Sequence, residues 1–328
     1  MTHKELDLTN EQLLDMYKTM LLARKLDERM WLLNRSGKVP FVISGQGQEA
    51  AQVGAAFALN KEEDYIAPYY RDMGVVLHFG MTAKELMLSA FAKAEDPNSG
   101  GRQMPGHFGG KKYRILTGSS PVATQIPHAV GMALAGKMDG KNFVTFASLG
   151  EGSTNQGDFH EALNFAGVHK LPVITFVENN NYAISVPFER QVASETIAVR
   201  ATSYGMEGVR VDGTDPLAVY KVMKEAVARA KRGEGGTIVE AMTYRLTAHS
   251  SDDDHRQYRS ADELTAEKEQ DPLPRFAHYL LEQQIVTQQQ IDDLEAHIKQ
   301  EVNEATDYAE EAPYAAPEEA LKYVYKEE

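Results

Sequence analysis

Two short segments of this 328-residue chain carry residue types suited to holding a hard cation, Gly150-Glu151-Gly152 and Asn179-Asn180-Asn181. Each follows an apolar run, FVTFASL or PVITFV, so that Glu151 offers a carboxylate and Asn180 an amide oxygen at the end of a strand. Glycines on both sides of Glu151 let backbone approach closely. Mg²⁺ takes oxygen ligands and commonly keeps phosphate oxygens and water as the rest of its shell. A Gly-Glu-Gly alone reads as a turn, and a run of Asn as a polar loop. The pair, one helix and one strand apart, is far more specific.

Such a pair works only if the two strands are neighbours in an open parallel sheet, where ligands bind outside the carboxyl ends. The pattern supports this. A small-residue helix from His128, AVGMALAGK, leads into FVTFASLG; a helix over 159–168, the strand PVITFVE and the strand GVRVD at 208–212 follow. Asp215 and Pro216 open a helix running to Arg232, and TIVEAMTY comes next. These strands read as continuous apolar runs separated by helices, the signature of a parallel sheet covered on both faces. Upstream, residues 9–33 repeat apolar side chains at helical spacing behind a Thr9/Gln12 capping box. Helical patterns also cover 48–59 and 82–93, the latter ended by Pro97, Asn98 and Gly100.

Between these helices and His128, GRQMPGHFGGKKYRILTGSSPVATQIP holds five glycines and three prolines among polar residues, which fits an ordered loop over a site. Beyond Tyr244, AHSSDDDHRQYRS has almost nothing apolar and reads as a mobile loop over 249–260. Helices over 274–282 and 288–308 are expected after it. The expected organisation is one α/β domain over 1–328: a helical extension to about 40, a core over about 41–245, the loop, and a helical segment over 261–328.

Composition narrows the function classes. Apolar residues are 42% and charged residues 25%, close to the globular average. With no Cys there are no thiolate metal sites or Cys nucleophiles. The net charge of −14 argues against nucleic acid, and residues 291–328, with 12 acids and 3 bases, carry much of it as a solvated helical surface. The opening MTHKELDLTNEQ lacks an apolar signal core, and no window approaches the roughly 18 apolar residues of a membrane span. A cytoplasmic protein with no membrane partner is expected.

The stretch GEGSTNQGDFHEALNFAGVHKLPVITFVENNNYAIS resembles the thiamine-diphosphate motif, a Gly-Asp/Glu-Gly followed nearly thirty residues later by Asn-Asn. With YYRDMG, GRQMPGHFG, SSPVATQIPHAVG, VDGTD and EAMTYR, nearly the whole chain is similar to alpha subunits of two-chain 2-oxo acid dehydrogenase decarboxylases. GRQMPGH and SSPVATQIP resemble the branched-chain member. The resemblance implies a thiamine-diphosphate-binding fold in which Glu151, the Asn180 side chain and the Tyr182 carbonyl coordinate Mg²⁺. Tyr70, Arg71, Gly152, Ser153 and His249 would surround the diphosphate, and Ser120 and Val122 would support the aminopyrimidine. It further implies K⁺ at Ser119, Pro121, Thr124 and Gln125, a substrate pocket at Phe41 and Val122, and His249 as the catalytic group near the entry of a lipoyl arm. His107 falls in a matching loop, and Ser250 matches a serine phosphorylated in mitochondrial relatives.

The implied reaction is oxidative decarboxylation of branched-chain 2-oxo acids, with the acyl group passed to the lipoyl group of an acyltransferase component. No motif here supplies the carboxylic acid needed at the pyrimidine nitrogen, which in this family comes from a beta chain. Two alpha and two beta chains are therefore expected, and AVGMALAG suits close packing against a partner. One departure stands out: some branched-chain relatives place Arg just before Asn-Asn, whereas this chain has Glu178, which is assigned no binding role because a carboxylate would repel phosphate. Alternatives are a pyruvate or acetoin specificity, set around Phe41 and Val122, and a non-catalytic subunit that binds Mg²⁺ and diphosphate. An unrelated Mg-nucleotide enzyme would need a GxGxxG or GxxxxGK[ST] after an early strand, and none occurs.

Overall fold

A computed structural model describes residues 2–322. Helix α1 (Asn10–Arg35) opens as the capping box requires, with the Thr9 hydroxyl accepting from Gln12 N–H at 3.2 Å and Gln12 Oε1 accepting from Thr9 N–H at 2.9 Å. There follow α2 (Glu49–Phe57), strand β1 (Tyr65–Ala67), α3 (Met73–His78), α4 (Ala83–Ala90) and α5 (Gln125–Met138). The centre is β2 (Thr145–Gly150), α6 (Gly157–Val168), β3 (Val173–Asn179), a small hairpin β4 (Tyr182–Ala183) and β5 (Val186–Pro187), and α7 (Phe188–Gln191). Strand β6 (Glu207–Asp212), α8 (Pro216–Lys231) and β7 (Thr237–Met242) complete the sheet, and α9 (Ala261–Glu269), α10 (Pro272–Glu282) and α11 (Gln288–Glu311) end the chain.

All five long-range strands are parallel, in the order β1-β2-β3-β7-β6. Alternate residues face two different cores. Phe146, Ile174, Phe176 and Val239 join the cluster built from α1, α2, α8, α10 and α11. Ala147, Leu149, Val173, Val177 and Ile238 join the cluster under α5 and α6. This double burial explains why β2, β3 and β7 are apolar throughout, as a parallel sheet covered by helices demands. The expected α/β architecture, with a mostly parallel sheet, an N-terminal helix and C-terminal helices, is therefore observed.

The differences have local causes. Strand β6 is an edge and exposes Glu207, Arg210 and Asp212 instead of being apolar throughout. Helix α5 begins at Gln125, three residues before the expected start, because Pro127 sits in the first turn, where its missing N–H costs no helical bond. Helix α4 stops at Ala90, since Ala92 takes φ 52° and turns Lys93 inward onto the carbonyls of Glu310 and Ala312. Strand β1, at three residues, is too short to show a period, and α3 likewise escaped the pattern, while α9 falls within the stretch over 261–328 expected to be helical. Part of the acidic C-terminal segment, 323–328, lies outside the described residues. Among the described residues no helix is long and apolar enough to cross a membrane.

Helix α1 also reaches toward the strand ends. Its Arg24, buried where α1 meets α2 and the start of α10, donates Nε to Glu49 Oε1 at 2.5 Å and both Nη atoms to Asp271 at 2.9 Å, tying the three helices together. One turn on, buried Asp27 accepts from Gly45 N–H at 2.7 Å and Gln46 Nε2 at 3.0 Å; burial pushes its carboxyl up to about 6 despite these bonds. Because removing one member of a buried ion cluster strands the others, Arg24→Ala should cost about 3–5 kcal/mol in chemical denaturation. A loss under about 1 kcal/mol, the size of an exposed pair, would contradict this account of the cluster.

Candidate functional site

Strands β2 and β3 pair so that Gly150 lies opposite Glu178, which brings the turn after one beside the turn after the other. Glu151, 1% exposed, accepts from Asn180 N–H at 3.3 Å and from Gln191 Nε2 at 3.1 Å. Asn180 is buried, and its Oδ1 has no hydrogen-bond partner. A buried acceptor left open costs free energy unless a ligand fills it. Burial raises the Glu151 carboxyl above its ordinary range, only partly offset by the hydrogen bonds from Gln191 and Asn180 and by the Arg245 charge. Among the described residues no group of three or more His, Asp or Glu could hold a metal. One carboxylate with an amide oxygen fits Mg²⁺ that takes its other ligands from phosphate and water.

These atoms face a cavity of about 280 Å³ lined by Ile43, Tyr69, Tyr70, Arg71, Val122, Gly150, Glu151, Gly152, Ser153, Asn180, Tyr182, Ala183, Ile184 and His249. Nine of the residues singled out from the sequence thus meet at one place: Tyr70, Arg71, Val122, Glu151, Gly152, Ser153, Asn180, Tyr182 and His249. At Gly152 an added Cβ would stand 2.5 Å from the Ala183 Cβ, so only glycine lets the hairpin close over the turn. Ile184, β-branched yet at φ 56°, is held there by its carbonyl accepting from Arg245 Nη2 at 2.9 Å.

Arg71 is buried, not the surface ion pair a lone arginine suggests. Its Nη1 donates to Ser44 O at 2.5 Å, and its Nη2 to the ring Nδ1 of His249 at 2.9 Å and to His249 O at 3.0 Å. Arg245, 1% exposed, donates to the same Nδ1 at 3.2 Å. Guanidinium has no acceptor, so Nδ1 must be the bare nitrogen and Nε2 must carry the proton. Burial, with two positive neighbours, lowers His249 to about 3. The ring is a neutral donor at physiological pH.

The loop expected to be mobile has a defined hydrogen-bonded form. His249 N–H donates to Asp253 Oδ2 at 2.8 Å, Tyr258 OH donates to the same carboxylate at 2.5 Å, and Ser251 N–H to Val42 O at 2.8 Å. Arg259 bonds Arg245 O at 2.8 Å and pairs with Glu263 and Glu267 on α9. Polar contacts replace the missing apolar ones. Ser250 is 7% exposed, so a kinase could reach it only after the loop opens.

Six of the residues singled out do not line the cavity. Phe41 lies in a smaller space of about 30 Å³ with Met30, Leu86 and Phe108, and Ile43 and Tyr70 border both spaces. Phe41 and Val122 are therefore not walls of one pocket. Ser120 is exposed, with Oγ 2.6 Å from His107 Nε2, whose Nδ1 faces Met104 O at 2.8 Å. Thr124 Oγ1 is 3.4 Å from Asp158 Oδ2, and Gln125 Nε2 donates to Ser148 O at 2.7 Å; Ser119 and Pro121 complete that turn away from the cavity. Sequence reasoning missed Arg245, Tyr69, Ile43 and Gln191. Only Arg245, a cation four residues before His249 in a polar stretch, left a signal.

A family model described as "Dehydrogenase E1 component" matches residues 17–318. The chain is 65% identical over 323 residues to the 2-oxoisovalerate dehydrogenase subunit alpha of Bacillus subtilis, covering 98% of both chains. It is 40% identical over 325 residues to the 3-methyl-2-oxobutanoate dehydrogenase subunit alpha of Mycobacterium tuberculosis, covering 98% of this chain and 84% of the relative. To the pyruvate dehydrogenase E1 component subunit alpha of Staphylococcus aureus it is 41% identical over 279 residues, covering 84% and 71%.

Proposed function

The chain belongs to the dehydrogenase E1 component family, and from that premise we propose that it is the alpha subunit of a branched-chain 2-oxo acid dehydrogenase. On this reading it binds thiamine diphosphate and Mg²⁺ and works with a beta chain, as two alpha and two beta chains, and with a lipoyl-bearing acyltransferase. The observation that carries it is the buried pair of Glu151 and the unpartnered Asn180 Oδ1 at adjacent strand ends, facing a cavity with Arg71 on its wall.

The cofactor supplies the electron sink for loss of CO₂ from a 2-oxo acid. The chain's own residues would position it. Glu151, Asn180 and the Tyr182 carbonyl hold the metal; Tyr70, Arg71, Gly152, Ser153 and His249 receive the diphosphate; Ser120 and Val122 support the pyrimidine. Among the described residues Glu151 is the only acid on the cavity wall, so Arg71 and a bound metal would meet the phosphate charge with little opposition. Neutral His249 donates through Nε2–H and takes up no proton near pH 7. Phe41 lies among apolar side chains suited to a branched aliphatic group. The 119–125 turn, rich in oxygen donors, would hold K⁺ through Ser119, Pro121, Thr124 and Gln125.

A second reading, a pyruvate-specific alpha subunit, is favoured by the Staphylococcus aureus relative. The two are separated by decarboxylation of 3-methyl-2-oxobutanoate against pyruvate, followed with an artificial electron acceptor after co-expression with a cognate beta chain. We expect kcat/KM to favour the branched acid by at least about tenfold, the order that burying its extra methyl groups in an apolar pocket supplies. Preference for pyruvate would overturn the specificity and keep the family.

A further inference from the structure

Glu240 is an acid within the apolar strand β7, TIVEAM, and it is fully buried. Side chains alternate along a strand, so Glu240 shares a face with Ile238, and Asn179 on β3 shares one with Val177; both faces turn to the core under α5 and α6. A carboxylate placed there costs free energy unless donors meet it. Two do. Asn179 Nδ2 donates to Oε1 at 2.7 Å, and Ala198 N–H donates to Oε2 at 3.0 Å. Asn181 N–H donates to Asn179 Oδ1 at 3.0 Å, which fixes the amide with its nitrogen toward Glu240. The turn closed in this way, with Asn181 at φ 67°, carries Asn180 at its centre.

The second donor belongs to a 3₁₀ helix, Ala198–Tyr204, that reaches the other turn of the site. Its Arg200 donates through Nη1 to Thr154 O and Thr154 Oγ1, both at 3.0 Å, and through Nη2 to Asn155 Oδ1 at 3.0 Å. The Thr154 hydroxyl in turn donates to Glu151 O at 2.6 Å. This helix sits directly on its neighbours: a Cβ added at Gly208 on β6 would overlap Ala198 O, and one added at Gly167 on α6 would overlap Tyr204 O. Glu240 itself does not line the cavity. Resting on the function proposed above, we propose that Glu240 is a positioning residue for the metal. Its carboxylate holds the Asn180 turn through Asn179 and the Glu151 turn through the Ala198–Tyr204 helix and Arg200, so that the two oxygen ligands stay in register from beneath.

The test uses the two-chain enzyme and reads, by calorimetry, the Mg²⁺ concentration that half-saturates thiamine-diphosphate binding, together with cofactor affinity at saturating Mg²⁺. Glu240→Gln keeps the volume but sets an amide N–H against one of the two donors. It should raise the Mg²⁺ requirement by about tenfold or more, the effect typical of a residue supporting a metal ligand. Affinity at saturating Mg²⁺ should stay within about threefold, the order of one hydrogen bond. Asn179→Asp alone sets two carboxylates face to face and should raise the requirement as far. Glu240→Gln combined with Asn179→Asp exchanges donor and acceptor across the same bond, and should return the requirement to within about threefold of wild type. Arg200→Ala, which frees the Glu151 turn and leaves Glu240 in place, should raise it by at least about threefold, and it serves alone if Glu240→Gln is recovered unfolded. A wild-type Mg²⁺ requirement in folded Glu240→Gln or in Arg200→Ala, a double variant no better than the singles, or an equal loss at saturating Mg²⁺ would overturn the proposal alone. Wild-type enzyme that binds no thiamine diphosphate would overturn the function on which it rests, and the role of Glu240 with it.

Discussion

Glu151→Gln should be at once less active and more stable than the wild-type chain. Turnover at limiting Mg²⁺ should fall by at least about a hundredfold, because a direct carboxylate ligand is lost where even supporting residues are worth about 10- to 100-fold. Stability moves the other way. The folded Glu151 carboxyl has a raised pKa because it is buried, so the folded state binds more protons than the unfolded chain just above the ordinary Glu range. Stability without metal therefore declines as pH rises through that window. A neutral amide escapes the penalty while keeping the size of the side chain. In EDTA at neutral pH the variant should unfold at a higher temperature than wild type; added Mg²⁺ and cofactor should stabilise wild type and leave the variant nearly unmoved. Equal melting temperatures in EDTA, or full activity, would contradict this account of the carboxylate.

His249→Ala should lower kcat by about 10²–10³, the usual effect of deleting one aimed donor in a water-poor site. His249→Gln, whose amide can accept from the two arginines and donate toward the cavity, should recover part of that loss. The acid limb of the pH–rate profile should not shift in His249→Gln, because burial and the guanidinium groups of Arg71 and Arg245 hold the imidazole at about 3. Between the ordinary imidazole value of about 6.5 and that figure the unfolded chain binds the proton and the folded chain does not. Wild type should therefore lose stability as pH falls through that window, and His249→Gln should lose less. An acid limb near pH 6.5 that disappears in His249→Gln would show a titrating ring instead.

What the sequence made visible, and what it hid, has physical causes. Strands β2, β3 and β7 are long, apolar and bounded by glycine and asparagine, so they could be read as strands from pattern alone, with Glu151 and Asn180 just past the ends of two of them, while the sheet order needed coordinates. Strand β1 has three residues, fewer than two periods of any repeat. Arg245 and Asp72 are charged groups buried by tertiary partners far along the chain, and a linear pattern scores such residues as surface. The same holds for Glu178: its charge alone argues against phosphate, whereas its partners Gln52 and Tyr69 turn it inward. Loop 249–260 was recognisable by its lack of apolar residues, but the bonds through Asp253, Tyr258 and Arg259 required coordinates.

The central claim, that Glu151 and Asn180 carry the metal that holds the cofactor diphosphate, is tested most directly by calorimetric titration of thiamine diphosphate into the wild-type two-chain complex. The titration is run in Mg²⁺ and in EDTA, and repeated with Asn180→Ala. Binding in Mg²⁺ should be tighter than in EDTA by at least about tenfold, as expected when several kcal/mol of charge neutralisation come from the metal, and Asn180→Ala should lose most of that difference. Affinity that is the same with and without Mg²⁺, or unchanged in Asn180→Ala, would contradict it.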